Sequence, residues 1–223
     1  MSWHEYPDTE LMALYVADKL ASDLRVALEH RDRALLVVPG GTTPGPIFDS
    51  LCAVDLDWDR VDVALSDERW VPEDHPRSNT KLLRARLLTS RAAAARLLPL
   101  YHDHMTAAEG AEMLSDRIEP ALPVSVCLLG MGEDMHTASL FPGAVGLEEA
   151  LAQDAPVLMP IEAPNVPEAR VTLTARVLRA AMSLHIVITG TRKRAALEAA
   201  WSFPPEEAPV AAILPGAQVH WTH

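Results

Sequence analysis

Residues 34–41 decide the fold class: five apolar residues stop at a proline and two glycines, in the order Ala34-Leu35-Leu36-Val37-Val38-Pro39-Gly40-Gly41. An unbroken apolar run of this length is typical of a strand buried on both faces, as in a parallel sheet. The Pro-Gly-Gly sequence ends the strand, and a helix is predicted to follow through Ile47, Phe48 and Leu51. The segment therefore predicts the strand–turn–helix unit of an α/β protein.

The same alternation recurs along the chain. Further strands are predicted over 61–65, 97–100, 124–129, 170–174, 184–189 and 219–222. Helices are predicted over 9–29, with Thr9 as N-cap, and over 80–88, 107–118, 175–182 and 192–201, while the Pro-rich segment 156–167 predicts a loop. This pattern favours an open three-layer sheet with mainly parallel strands. A (β/α)₈ barrel is less well supported, because there are fewer than eight strand–helix units and such barrels usually have longer chains.

Composition narrows the class of protein. The 223 residues suit a single domain spanning 1–223, and 49% apolar with 22% charged residues is typical of a folded globular chain. A net charge of -12 argues against nucleic acid and anionic membranes as partners. No apolar run approaches the roughly 18 residues of a membrane span, and the first residues lack a signal-peptide pattern, so a cytoplasmic location is expected. Cys52 and Cys127 match neither a metal site nor a disulfide framework, and Cys127 is expected to be a buried thiol.

Four predicted strands end in polar or glycine-rich loops. Because the carboxyl ends of parallel strands meet at one edge of a sheet, these loops are expected to line one pocket. They are residues 39–44, 66–69, 130–136 and 189–193.

The first loop has the features of a phosphate-binding turn. Adjacent glycines allow a ligand to approach the backbone, and Thr42 and Thr43 after Gly41 add hydroxyl donors. A nucleoside triphosphate is excluded, because Pro46 follows Gly45 where a Walker loop requires lysine. Arg69 and Lys193, in two of the other loops, are the candidate phosphate partners. Arg192 and Arg194 are interpreted as solvated surface.

The third loop carries the candidate catalytic pair. Asp134 stands two residues before His136, so its carboxylate is expected to fix the imidazole tautomer of a general base. The Gly130-Met131-Gly132 sequence is not a dinucleotide fingerprint, because Met135 occupies the third glycine position.

Two weaker candidates are set aside. Ser139 lies in no nucleophile elbow, so a cap or a backbone hydrogen bond is expected of it. His102 and His104 flank Asp103 at a spacing that makes a poor metal site, and no metal is predicted.

Together these loops resemble the 6-phosphogluconolactonase family. The matching stretches run in the expected order over most of the chain: 39–44, 66–72 with Ser78-Asn79, 130–143, 170–174 and 189–193. The block around His136 is highly specific. One departure is Met135, where the family usually has glycine; if that position needs a positive φ, the methionine is strained there.

The resemblance implies hydrolysis of 6-phospho-D-glucono-1,5-lactone to 6-phosphogluconate, the second step of the pentose phosphate pathway. It implies the Rossmann-like fold shared with glucosamine-6-phosphate isomerases, no organic cofactor, and a small sugar phosphate as the binding partner. In this reaction His136 activates water, and Asp134 orients the His136 imidazole. The phosphate is held by Gly41, Thr42, Thr43, Arg69 and Lys193, with Arg170 as a weaker candidate. Asp67 either contacts sugar hydroxyls or fixes Arg69. The oxyanion is assigned to amides of the 130–132 loop or of Gly41, and a monomer or weak homodimer is expected.

Two rival functions remain. A sugar-phosphate isomerase or deaminase on the same fold carries a glutamate five residues after the loop histidine, where this chain has Phe141. An isomerase also needs a base for carbon-bound protons, and Asp67 could serve as that base. The chain therefore lacks the glutamate for ring opening but keeps a candidate residue for the proton transfer. A non-catalytic phosphosugar sensor would keep Arg69 and Lys193 but has no use for Asp134 and His136.

Overall fold

A computed structural model describes residues 1–163 and 166–223. Its strands, in chain order, are β1 (Ser2–Glu5), β2 (Ala34–Val38), β3 (Val61–Leu65), β4 (Asp67–Arg69), β5 (Arg96–Leu98), β6 (Val126–Gly130), β7 (Leu158–Ile161), β8 (Arg170–Leu173), β9 (Ser183–Thr189) and β10 (Gln218–Thr222). Seven of them form one sheet in the order β1-β10-β9-β6-β2-β3-β5. Every pairing in this sheet is parallel, which confirms the predicted fold class.

The sheet is covered on both faces. All five residues of β2 and all five of β3 are buried, although alternate side chains of a strand point to opposite faces. The apolar runs in the sequence therefore reflect helices and loops packed on each side, as a three-layer α/β architecture requires.

The helices are α1 (Thr9–His30), α2 (Gly45–Leu51), α3 (Asn79–Arg86), α4 (Ala107–Ile118), α5 (Leu147–Leu151), α6 (Ala175–Arg179) and α7 (Thr191–Ala199). The predicted N-cap of the first helix was wrong by one residue, because the Asp8 carboxylate accepts the backbone N–H of Leu11. The negative charge of this carboxylate also interacts favourably with the positive end of the helix dipole. Helix α4 begins with a reciprocal capping box between Thr106 and Glu109. In the described part of the chain, no helix has the length and apolar character needed to cross a bilayer.

A second, smaller sheet has the order β4-β8-β7 and is antiparallel. The strand predicted over 170–174 is present as β8, but it belongs to this sheet. The loop predicted over 156–167 was wrong for its first half, which contains β7; of the remainder, residues 164 and 165 lie outside the described residues. The small sheet packs against the same apolar core as the main sheet, through Leu158, Val171 and Leu173.

Candidate active site

A cavity of about 300 Å³ opens at the carboxyl edge of the main sheet. All four polar loops contribute to its lining, which confirms the prediction drawn from the parallel topology. Every predicted site residue except Asp134 lines the cavity: Gly41, Thr42, Thr43, Asp67, Arg69, His136, Arg170 and Lys193. Asp134 lies directly behind His136.

The turn after β2 forms one wall. Gly41 has a φ of +86°, in the left-handed region that glycine adopts without the cost that a side chain would bring. The N–H of Gly45 donates to the carbonyl of Thr42 at 3.2 Å and closes the turn as α2 begins. The two threonines are thereby held at the mouth of the cavity.

The loop after β6 holds the imidazole. Nδ1 of His136 lies 2.5 Å from Oδ1 of Asp134, and the backbone N–H of His136 donates to the same oxygen at 3.3 Å. A Cβ on Gly132 would fall 2.2 Å from Nδ1, so only glycine lets the ring lie this close to the backbone. In the tautomer that donates Nδ1–H to the carboxylate, Nε2 carries the lone pair. The His136 side chain is 30% exposed, so water reaches the ring.

Asp67 is tied to Arg170. Its Oδ2 accepts the hydroxyl of Ser139 at 2.6 Å and lies 3.6 Å from Nη1 of Arg170, while Oδ1 accepts the hydroxyl of Ser66 at 2.8 Å. Arg69 instead donates to the carbonyl of Arg77 at 2.6 Å. Within the described residues Asp67 has no hydrogen bond to Arg69, so the predicted option that it fixes Arg69 was wrong.

Ser139 acts through its side chain. Its hydroxyl is buried against Asp67 and Arg170, and its backbone N–H donates to Oγ1 of Thr172. Ser139 thus makes a backbone hydrogen bond, as expected, through its N–H, whereas its hydroxyl contacts two charged side chains. Burial also denies this oxygen the exposure that a nucleophile needs.

The cavity concentrates positive charge in an acidic protein. Arg69, Arg170 and Lys193 line it. Burial lowers the pKa of Arg170, the nearby Asp67 raises it, and the like charges of Arg69 and Arg77 lower it further. Nε of Arg69 and Nε of Arg170 are buried donors with no hydrogen-bond partner among the described residues. The three cationic side chains in the lining fit an anionic ligand.

The two arginines that flank Lys193 face carboxylates outside the cavity. Arg192 pairs with Glu133 at 2.7 Å, and Arg194 pairs with Glu198 at 3.0 Å. The interpretation as solvated surface is confirmed for Arg192, which is exposed. It was wrong for Arg194, which is half-buried, also pairs with Glu5 and lies 4.3 Å from the Trp221 ring centroid.

Sequence reasoning missed Asn79 as a lining residue. Its Nδ2 donates to the backbone carbonyl of Asp67 at 3.0 Å. The only signal was its place in the matching Ser78-Asn79 pair, because its position at the start of α3 is far from any predicted pocket loop in sequence. His102 and His104 lie outside the lining, and the described residues contain no cluster of three metal-ligating side chains.

Residues 7–221 match a family model described as glucosamine-6-phosphate isomerases/6-phosphogluconolactonase. The chain belongs to this family.

Relatives within the family are similar over nearly their whole length. A 6-phosphogluconolactonase of Pseudomonas aeruginosa is 43% identical over 210 residues, which cover 92% of this chain and 88% of that protein. One from Mesorhizobium japonicum is 41% identical and covers 99% of this chain and 94% of its own. The crystal structure of a 6-phosphogluconolactonase from Shewanella baltica has a TM-score of 0.96 at 31% identity and covers 100% of this chain and 98% of its own. A monomeric glucosamine-6-phosphate deaminase shares the fold alone, with a TM-score of 0.80 at 15% identity over 100% of this chain and 98% of its own.

Met135, which stands where the 6-phosphogluconolactonase family resemblance leads one to expect glycine, has a φ of +65°. The left-handed backbone conformation considered for this position is therefore present, and a residue with a Cβ adopts it. The N–H of Met135 donates to the carbonyl of Gly132, and its own carbonyl accepts the N–H of Val210. These bonds hold the residue in the strained region, next to the catalytic candidate His136.

Phe141 stands five positions after His136, where the resemblance to the isomerases leads one to expect glutamate. Its ring centroid lies 4.3 Å from that of His136, and the guanidinium carbon of Arg170 lies 5.3 Å from the Phe141 centroid. The position thus carries an aromatic contact to the imidazole in place of a carboxylate.

Proposed function

We propose that this protein hydrolyses 6-phospho-D-glucono-1,5-lactone to 6-phospho-D-gluconate, the second step of the oxidative pentose phosphate pathway. The observation that carries the proposal is the Asp134–His136 pair at the edge of a cavity that is also lined by Arg69, Arg170 and Lys193. Membership of the family and the names of the similar relatives support the same reaction.

His136 is the general base of the proposed reaction. Nε2 takes a proton from water as the water oxygen adds to the lactone carbonyl carbon. The ring C–O bond of the resulting tetrahedral intermediate then breaks, and the imidazolium returns its proton to the departing ring oxygen. Asp134 keeps Nδ1–H oriented and stabilises the imidazolium between these two steps.

The phosphate is held by Gly41, Thr42, Thr43, Arg69 and Lys193, with Arg170 at the same wall. Anchoring this remote group positions the carbonyl for attack and converts binding energy into orientation. The positive charges of Arg69, Arg170 and Lys193 in the lining support an anion at this place.

The oxyanion donors are assigned to the amides of Gly41 or of the 130–132 loop. The N–H of Gly132 already donates to the carbonyl of His136 at 3.0 Å, which favours the other amides of this set. One domain over residues 1–223, a cytoplasmic location and a monomer or weak homodimer stay predictions.

The test measures 6-phosphogluconate formation from freshly prepared lactone, with spontaneous hydrolysis subtracted. Fructose 6-phosphate and glucosamine 6-phosphate are run in parallel. Acceleration of lactone hydrolysis alone supports the proposal. Turnover of only the amino sugar would assign the protein to the deaminases, and binding without any turnover would make it a sensor.

Two substitutions separate chemistry from binding. His136→Ala is expected to lower kcat by about a hundredfold or more while 6-phosphogluconate still binds. Lys193→Ala is expected mainly to raise KM. His102→Ala is the matched control, because His102 is exposed and lies outside the cavity lining.

A further inference from the structure

Glu68 is a fully buried carboxylate of β4 that contacts the start of α3 and does not line the cavity. Oε1 accepts the backbone N–H groups of Arg69 and Asn79, each at 2.8 Å. Oε2 accepts the N–H of Thr80 at 2.7 Å, the hydroxyl of Thr80 at 2.8 Å and the hydroxyl of Ser78 at 3.2 Å. One side chain therefore joins β4 to the start of α3 through four hydrogen bonds and makes a fifth within β4 to Arg69.

Burying the ionised carboxylate of Glu68 costs desolvation free energy. Burial raises the pKa of Glu68, and the hydrogen bonds from Asn79, Thr80 and Arg69 oppose that rise. Because desolvation disfavours the charged form, a buried carboxylate persists only where donors satisfy both oxygens. Its five donors come from two segments that are not adjacent in sequence, so it fixes where these segments lie relative to one another.

Both segments supply residues to the cavity. Arg69 and Asn79, whose backbone N–H groups Glu68 binds, both line the cavity. The side chain of Asn79 also packs against the glycine turn, since a Cβ on Gly40 would fall 2.1 Å from Asn79 Oδ1. The contacts run from Glu68 to Asn79 and from Asn79 to the Gly40–Gly41 turn.

Capping of α3 does not by itself account for this residue. Ser78 is already the N-cap of α3, and its hydroxyl accepts the N–H of Lys81 at 3.2 Å. Glu68 lies in β4 and binds N–H groups of both β4 and α3. Two of the residues that it binds, Arg69 and Asn79, line the cavity, so its contacts bear on the site as well as on the helix.

We propose that Glu68 is a positioning residue that sets the phosphate-binding half of the cavity by holding Asn79 against the Gly40–Gly41 turn and the Arg69 backbone beside it. The inference rests on the proposed function, because the phosphate half is defined by that substrate. It predicts that losing the Glu68 contacts weakens binding and leaves the His136 chemistry largely intact.

Glu68→Gln tests this role with little change in volume. Backbone N–H groups face both carboxylate oxygens, so the amide NH₂ opposes an N–H donor whichever way it is turned. We expect KM for the lactone and Kd for 6-phosphogluconate to rise about tenfold, with kcat changed by less than about threefold.

Asn79→Ala removes the next contact in the series and is expected to give the same pattern. The double variant Glu68→Gln/Asn79→Ala is expected to be no worse than the poorer single variant, because both substitutions break one path. Should Glu68→Gln fail to fold, Asn79→Ala alone decides, by its ratio of KM to kcat effects.

Asp62→Asn is the matched control. Asp62 is a buried carboxylate at the opposite end of β3 and is paired with Arg33 and Arg96. It is expected to lower Tm without changing KM or Kd. If Glu68→Gln behaves like Asp62→Asn, losing Tm alone, the positioning role is overturned. A wild type that does not accelerate lactone hydrolysis overturns the proposed function instead, and the Kd for inorganic phosphate in both proteins then decides the role of Glu68.

Discussion

The imidazole of His136 is held by contacts made within a single loop. Asp134 binds Nδ1, the bare Cα of Gly132 lets the ring lie close to the backbone, and the Phe141 ring packs against it at an interplanar angle of 31°. The spacing of Asp134 and His136 was visible in the sequence. The aromatic contact was not, because four residues of irregular loop separate Phe141 from His136 and no helical or strand period relates them.

Replacing Phe141 by leucine is expected to lower kcat by about tenfold with KM little changed. Leucine keeps the apolar volume but loses the aromatic ring that packs on the imidazole, and small displacements of the proposed general base are costly. Phe141→Tyr is the control that retains the ring and should stay near wild-type activity. Steady-state kinetics of the three proteins provide the test, and equal kcat in the leucine variant would contradict a role for the ring contact.

The backbone strain at Met135 gives a second prediction at the residue scale. Because its φ is +65°, Met135→Gly is expected to be more stable than Met135→Ala by about 1 kcal/mol. Both variants lose the methionine side chain, so their difference isolates the left-handed backbone. Elsewhere glycine lowers stability relative to alanine through its freedom in the unfolded chain. Urea unfolding of the two variants measures the difference, and an alanine variant as stable as the glycine variant would show that the loop has relaxed.

At the scale of elements, the sequence predicts the strands and helices whose burial is visible in their own apolar pattern. β2, β3 and α4 appear with the predicted bounds, since their apolar patterns are complete within the element. β4 was missed because its sequence, Asp67-Glu68-Arg69, has no strand pattern and pairs with β8 far along the chain. β7 was missed because Pro160 favoured a loop; as β7 is an edge strand of the small sheet, the proline costs no pairing on its outer side.

The turn between β2 and α2 provides an element-scale prediction. Gly40→Ala places a methyl group against the short, buried side chain of Asn79 and is expected to raise KM about tenfold and to destabilise the protein by about 1–3 kcal/mol. Gly45→Ala is the matched control. Its methyl group would meet only the guanidinium end of Arg86, which lies on the surface and can move, and alanine favours the helix there. Enzyme kinetics and urea unfolding of both variants are compared, and similar effects from the two substitutions would rule out the Asn79 contact as the cause.

At the scale of the whole molecule, topology predicts more of the site than any motif does. Parallel strands bring four loops to one edge, so His136, Arg69 and Lys193 lie around one cavity although they are far apart in sequence. The pairing of Asp67 with Arg170 was not predictable, because it depends on the antiparallel register that sets Asp67 opposite Thr172 in the small sheet. Long-range pairing of short strands leaves no local signal in a single sequence.

A buried polar network ties the first helix to the edge of the main sheet. Nε2 of His185 lies 2.9 Å from Oδ2 of Asp23, Nδ1 of His185 lies 3.0 Å from Nε2 of His220, and Nδ1 of His220 lies 2.8 Å from the hydroxyl of Tyr6. Burial, with the neighbouring His185, His4 and Lys19, lowers the pKa of His220 to about 3, against a small opposing effect of Asp23. Burial raises the pKa of Asp23, but hydrogen bonds from His185, Lys19 and Ser183 outweigh it and hold that pKa well below its ordinary value.

Both shifts make the fold sensitive to acid. The unfolded chain protonates His220 near pH 6.5 while the folded chain keeps it neutral, so its contribution is complete above pH 6.5 and is lost as the pH falls toward 3. This loss corresponds to about 2 kcal/mol at pH 5. Asp23 adds a further loss below about pH 4, where its carboxylate is protonated in the unfolded chain alone. Urea unfolding between pH 8 and pH 5 should therefore show a smaller decrease in His220→Gln than in wild type, whereas His102→Gln, which alters an exposed histidine, should follow wild type. Parallel pH profiles for wild type and His220→Gln would mean that the acid sensitivity arises elsewhere in the molecule.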